Sequence, residues 1–196
     1  MSQSLDSFLS AVIQQRPVRL YFDTNVILSI LRPKRSGDAK YATDLLDIAV
    51  GNGWDCICSY LGFMEALDIE QENMWFRNRT RAGEDVDRLM RRRHDRDPLS
   101  PQATGRIVNQ LFERFVTEEK DLVTWTLPSE EEWEEAISLA INTPIRAPDC
   151  IHAASAITNE CDVLVTSDRL LKDFDRNRIR GATPRELVAA LKLIGH

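Results

Sequence analysis

The chain has 196 residues, 43 % hydrophobic and 29 % charged, a balance that supports a globular core and excludes a disordered or fibrous polymer. Its net charge of −6 excludes attraction to a polyanion over the whole surface, but leaves room for a local basic patch or an acidic metal centre. Cys56, Cys58, Cys150 and Cys161 form no Cys-x-x-Cys pair; they read as free thiols of a reducing cytoplasm, with a zinc site as the weaker alternative.

In chain order, Leu5, Phe8, Leu9, Val12 and Ile13 recur at helical spacing within 1–16, predicting an N-terminal amphipathic helix and not a signal-peptide core. No stretch reaches the roughly 20 apolar residues of a membrane span. Val18 to Phe22 is a short β-prone run that stops at Asp23-Thr24-Asn25, before a helix from Val26 to Leu31. Arg32 to Asp38 is a predicted loop. Ala42, Leu45, Leu46 and Ala49 then mark a helix ended by Gly51, and Asp55 to Cys58 a second strand.

A helix from Tyr60 to about Ile69 leads into a long, charged, helical stretch over about 69–120, broken at Asp97-Pro98 and Pro101, with an apolar stripe of Ile107, Val108, Leu111, Phe112 and Phe115. Leu122 to Leu127 is a third strand. Ser129 with Glu132 caps a helix whose expected buried stripe is Trp133, Ala136, Ile137, Ala140 and Ile141. Pro148 opens a helix through Glu160, and Val163 to Thr166 is a strand ending at Ser167-Asp168. A helical turn from Leu170 to Phe174 and a strand over 179–182 precede Thr183-Pro184-Arg185-Glu186, a helix start with N-cap, proline and capping glutamate. Strands alternating with helices predict an α/β fold: one three-layer α/β/α unit over 1–196 with a central parallel sheet and an extended helical insertion.

In such a sheet, ligands gather beyond the carboxyl ends of strands where the strand order reverses. Asp23 and Asp168 each follow a strand and are expected at that edge; Glu65 and Asp149 stand on helices expected to begin beside it. Each close carboxylate pair costs about 4 kcal/mol at roughly 4 Å and an effective dielectric of about 20, so a cation is the natural reason to gather four. Oxygen-only ligands suit Mg²⁺ or Mn²⁺, and the chemistry implied is phosphodiester hydrolysis. Singly, each acid is more simply a helix cap, turn former or solvated side chain, and only the combination favours catalysis.

The chain here resembles the PIN-domain nucleases, VapC-like ribonucleases among them, many of which are the toxin halves of prokaryotic toxin–antitoxin pairs. Leu20-Tyr21-Phe22-Asp23-Thr24-Asn25-Val26 is similar to the family's opening strand, Phe63-Met64-Glu65-Ala66 to its second-acid helix, Pro148-Asp149-Cys150-Ile151-His152-Ala153-Ala154 to its third-acid helix, and Val163-Leu164-Val165-Thr166-Ser167-Asp168 to its last acidic strand end. The resemblance implies Mg²⁺- or Mn²⁺-dependent endoribonuclease activity with catalytic and metal-binding roles at Asp23, Glu65, Asp149 and Asp168. It also implies support from Thr24, Asn25, Thr166 and Ser167, an antitoxin partner and a homodimer. Two departures are the N-terminal helix and the long interval between Glu65 and Asp149, which reads as an elaborated helical clamp.

Arg77, Arg79, Arg91, Arg92 and Arg93 lie in a basic stretch suited to RNA phosphates, with Trp75 or Phe76 as a stacking face; the alternative is a solvated helix whose arginines pair with Glu84, Asp85, Asp87, Asp95 and Asp97. His152, one turn from Asp149, is expected to bond its own backbone, outside the catalytic set. No Gly-rich phosphate loop is present. Two rival readings are a non-catalytic RNA- or protein-binding module and a nuclease acting on DNA.

Overall fold

The computed structural model describes residues 3–32, 38–113, 123–174 and 178–195. Residues 33–37 of the loop expected from Arg32 to Asp38, the end of the helical insertion at 114–120 with Phe115, and Leu122 of the expected third strand lie outside them. Five strands, β1 (Arg19–Phe22), β2 (Asp55–Ser59), β3 (Val123–Thr126), β4 (Val163–Val165) and β5 (Arg180–Ala182), form one sheet in the order β3-β2-β1-β4-β5, parallel throughout. The chain builds outward from β1 to one edge, then returns to build the other. β1 is therefore central, paired through Tyr21 with Ile57 of β2 and Leu164 of β4.

Strand side chains alternate between faces. Leu20, Phe22, Cys56, Cys58, Val163, Val165 and Ala182 enter one core with α1 (Leu5–Ile13), α2 (Thr24–Leu31), α3 (Asp38–Gly51) and α10 (Pro184–Leu193). Tyr21, Ile57 and Leu164 enter the opposite core with α7 (Glu130–Asn142), α8 (Ala147–Thr158) and α9 (Arg169–Asp173). The result is the expected three-layer arrangement. Beside it, α4 (Tyr60–Arg81) packs on α6 (Pro101–Phe112) through Phe63, Ile107 and Leu111, with the short α5 (Val86–Arg91) between them in sequence. The helical stretch is broken between Asp95 and Pro101, around the expected Asp97-Pro98 and Pro101, and Pro101 starts α6, where Ser100 accepts from the Ala103 amide. Leu89 of α5 is buried, whereas Val86 and Met90 are exposed. No helix of the described residues is long and apolar enough to cross a membrane.

The orientation of α7 departs from expectation. Its buried positions include Glu132, Ala136 and Leu139, whereas Trp133, Ile137 and Ile141 are 48 %, 59 % and 76 % exposed and Ala140 is also exposed. Glu132 is drawn inward because α8 supplies two donors, the Ser155 hydroxyl at 3.0 Å and the Asn159 amide at 2.8 Å. A buried carboxylate so satisfied avoids most of its desolvation penalty, and the apolar stripe one residue along is turned to solvent.

Gly181 sets how closely α9 approaches β5. A Cβ there would stand 2.1 Å from the Lys172 carbonyl oxygen and 2.7 Å from its carbonyl carbon, contacts that only a backbone shift relieves. Gly181→Ala is therefore expected to destabilise the fold by about 1–3 kcal/mol, a value typical of overpacking. Thermal melts showing an unchanged midpoint would contradict this packing.

Candidate active site

Asp23 follows β1 and stands at the N-cap position of α2, its amide donating to the Val165 carbonyl across the β1–β4 junction. This is where the strand order reverses. Its side chain makes no capping bond, so the simpler cap explanation fails here. Instead Oδ2 accepts from the Thr166 hydroxyl at 2.6 Å and from Asn25 Nδ2 at 3.3 Å, and the residue is 4 % exposed. Thr166 is buried in turn and also accepts from the Asp168 amide at 3.0 Å, which links the two strand-end acids. For Asp168 the cap reading does hold: Oδ1 accepts from the Leu170 and Leu171 amides at the start of α9. Ser167 is exposed.

Asp149 lies half-buried in the first turn of α8. Burial, and then the negative charges of Asp168 and Asp23, push its carboxyl above the usual range, against the pull of His152 and Arg146. Asp23, Asp149 and Asp168 therefore sense one another. Glu65 reaches the same place from α4, whose close approach runs through Gly62: a Cβ there would lie 3.3 Å from Thr24 Oγ1 and 3.4 Å from His152 Cε1. Glu65 Oε2 accepts from the Thr24 hydroxyl at 2.5 Å and meets His152 Nε2 at 2.9 Å.

His152 is the residue the sequence reading misplaced. It is 1 % exposed and is held by distant side chains, not by its own backbone: Nδ1 meets the Tyr21 hydroxyl at 2.9 Å, and Nε2 lies 2.9 Å from Glu65, 3.3 Å from Thr24 Oγ1 and 3.9 Å from Asp23 Oδ1. Burial by itself lowers its pKa, but the Glu65 hydrogen bond and the charges of Asp23, Glu65 and Asp149 outweigh it, and the net shift is upward. Burial likewise raises the Glu65 carboxyl, and the hydrogen bond and charge of His152 with the Thr24 bond overcome it, giving a net fall. These acids therefore favour the protonated form of His152, and His152 favours the ionised form of Glu65. The only sequence signal of His152 was its position three residues after Asp149.

These shifts fix a sign. The raised His152 pKa gives stability that is complete below the ordinary value of 6.5 and lost as pH rises through the raised value. The lowered Glu65 pKa gives stability present above 4.5 and lost as pH falls through the lowered value. In the absence of divalent cations, the difference in melting midpoint between wild type and Glu65→Gln is expected to be largest between 4.5 and 6.5 and to shrink at higher pH. A pH-independent difference in paired melts would contradict the ion pair.

Of the basic stretch, Arg79 is paired with Glu84 at 2.8 Å and also with Asp97, and Arg93 with Glu72 at 3.2 Å. Arg77 and Arg91 are exposed and Arg92 is half-buried, with no ion pair among the described residues. Trp75 is buried at 3 % exposure, its ring edge-on to Phe76, so it is not the expected stacking face.

The parallel sheet in this order, with carboxylates at its switch point, defines a three-layer α/β protein with an acidic centre at the strand carboxyl ends. The family model of the PIN domain matches residues 99–177, a span that includes Asp149 and Asp168. Among solved structures, the chain is similar to a toxin–antitoxin complex from Klebsiella pneumoniae (15 % identity, 84 % of this chain and 97 % of that one, TM-score 0.50). It is also similar to VapBC2 from Rickettsia felis bound to a DNA fragment from the promoter (12 % identity, 84 % and 97 %, TM-score 0.50). No curated protein matches. Over residues 99–177 the chain is thus similar to the PIN domain, and its fold is the one found in these two complexes.

PIN domains are generally nucleases that typically use divalent metals. Among the described residues, no group of three His, Cys, Asp or Glu side chains is already disposed as a metal cage. The donor chemistry nonetheless fits a hard cation: the Asp149 anion is destabilised first by burial and then by the charges of Asp168 and Asp23, and a divalent ion would offset both. Mg²⁺ in particular takes only one or two carboxylates and keeps its waters.

Proposed function

We propose that this chain is a metal-dependent endoribonuclease that hydrolyses RNA phosphodiester bonds at an acidic centre formed by Asp23, Glu65, Asp149 and Asp168. The observation that carries the reading is the buried Asp23 at the switch point, together with an Asp149 whose carboxyl is pushed up by burial and then by the charges of Asp168 and Asp23. Asp23 Oδ1, both oxygens of Asp149 and Asp168 Oδ2 are the donors available for Mg²⁺ or Mn²⁺, and Glu65 completes the set through Oε1, the oxygen not engaged by His152 or Thr24. The ion, when bound, lowers the pKa of its water and neutralises charge on the phosphate.

The protein's own part is to hold those oxygens in place. Thr166 and Asn25 fix one face of Asp23 so that Oδ1 is presented to the site. The start of α9 fixes Asp168, and His152 with Thr24 fixes Glu65. The similarity to toxin–antitoxin complexes supports a toxin role with an antitoxin protein as partner, and we expect a homodimer, which sedimentation would test.

The test of the reaction is incubation of the purified chain with labelled single-stranded RNA and a matched DNA, with Mg²⁺, with Mn²⁺ and with chelator. Cleavage of RNA alone, only with a divalent ion, is the expected result. Cutting of both strands would move the reading to a general nuclease, and tight RNA binding without cleavage would favour a binding module.

A further inference from the structure

Between α4 and α6 runs a groove of about 450 Å³ lined by Met74, Arg77, Asn78 and Arg81 on one side and by Ser100, Ala103, Arg106 and Gln110 on the other. The spacings are helical, so each set shares a face of its helix. Arg77, Arg81 and Arg106 are exposed, and among the described residues none of them is in an ion pair and no acid lines the groove. Neighbouring arginines are neutralised: Arg79 of α4 by Glu84 and Asp97, and Arg93 and Arg96, from the connection between α5 and α6, by Glu72 and Asp68 of α4. Ser100 is the N-cap of the 12-residue α6, so the partial positive charge of that helix end adds to the three guanidinium groups. A concentration of positive charge in a protein of net charge −6 marks a place for an anion.

We propose that this groove is a second anchor for the phosphates of the RNA strand, remote from the bond to be cut. Arg77 stands twelve residues beyond Glu65 on α4, about 18 Å along the helix axis at roughly 1.5 Å per residue. At about 3.4 Å per phosphate in a stacked strand, that span corresponds to about five nucleotides. The groove therefore imposes a length requirement: a strand that reaches it from the acidic centre is held at both ends, and a trinucleotide is held at one. Guanidinium pairs suit phosphate oxygens through forked hydrogen bonds, and three of them tie affinity to salt. The choice of RNA rests on the nuclease reading; the groove itself rests on its charge.

The test uses the full chain carrying Asp23→Asn, so that no strand is cut during titration, with fluorescence anisotropy of labelled 12-nucleotide and 3-nucleotide RNA. Combining Arg77→Gln, Arg81→Gln and Arg106→Gln is expected to weaken 12-mer binding at least about tenfold at low salt. The slope of log affinity against log salt should fall by about 2, at about 0.7 per phosphate lost, with 3-mer binding unchanged. Lysine at the three positions should restore the slope, which separates charge from misfolding. Arg79→Gln, already paired, should leave it unaltered. An unchanged slope, equal weakening of the 3-mer, or displacement of the 12-mer by polyglutamate at equal charge would each overturn the proposal. A wild-type chain that cuts no RNA yet shows the slope change would sink the nuclease reading and keep the groove.

Discussion

Asp23→Asn is expected to reduce metal-dependent cleavage of RNA by about 10²- to 10³-fold while leaving the melting midpoint of the metal-free protein within a few degrees. Asparagine has the same shape and keeps an oxygen to accept from Thr166, which now bonds Oδ2 at 2.6 Å. It removes the anionic donor, and a loss of several kcal/mol of transition-state stabilisation corresponds to two or three decades in rate. Stability moves little because two effects oppose each other: the variant loses attraction to His152, 3.9 Å away, and relieves the repulsion felt by Asp149. Single-turnover cleavage and thermal melts of the same preparations check both halves. A variant that cuts within fivefold of wild type would remove Asp23 from the centre, and a collapsed melt would assign it to folding.

The second large effect falls on stability. His152→Ala should lower it by about 3–5 kcal/mol, the range for breaking a buried ion pair from one side. At about 2–4 °C per kcal/mol in a chain of this size, the midpoint should fall on the order of 10 °C. Three losses combine: a cavity where a ring sits at 1 % exposure, a Tyr21 hydroxyl left without its Nδ1 partner, and Asp23 and Glu65 without the imidazole between them. Denaturant unfolding of wild type, His152→Ala, Glu65→Gln and the double variant gives a coupling energy between the two side chains. Additive effects would mean that His152 acts through packing alone.

What was legible in the sequence was what local pattern encodes. The apolar run through Leu20 to Phe22 stopping at Asp23, and the run from Val163 stopping before Asp168, specify strands and the edge where their acids emerge, because parallel strands buried on both faces read as unbroken hydrophobic runs. Thr183 to Glu186 was equally readable, and its capping box is present. What was not legible depends on partners far along the chain. His152 is defined by Glu65, 87 residues away, and by Tyr21, 131 away. The rotation of α7 follows from Ser155 and Asn159 receiving Glu132, which no helical periodicity announces. The arginines of the 69–120 segment look alike in sequence, and only the packing of α4 and α6 separates those held by Glu72, Glu84 and Asp97 from the three that share a groove with no acid among its described lining residues.

If the acids at the switch point hold the ion required for cleavage, that ion should be visible bound to them. Anomalous diffraction from crystals soaked in Mn²⁺ tests this most directly. A peak bonded to Asp23 together with Asp149 or Asp168 is expected, absent in Asp23→Asn crystals treated alike. No peak at these carboxylates, under conditions in which the same protein cleaves RNA with Mn²⁺, would contradict it.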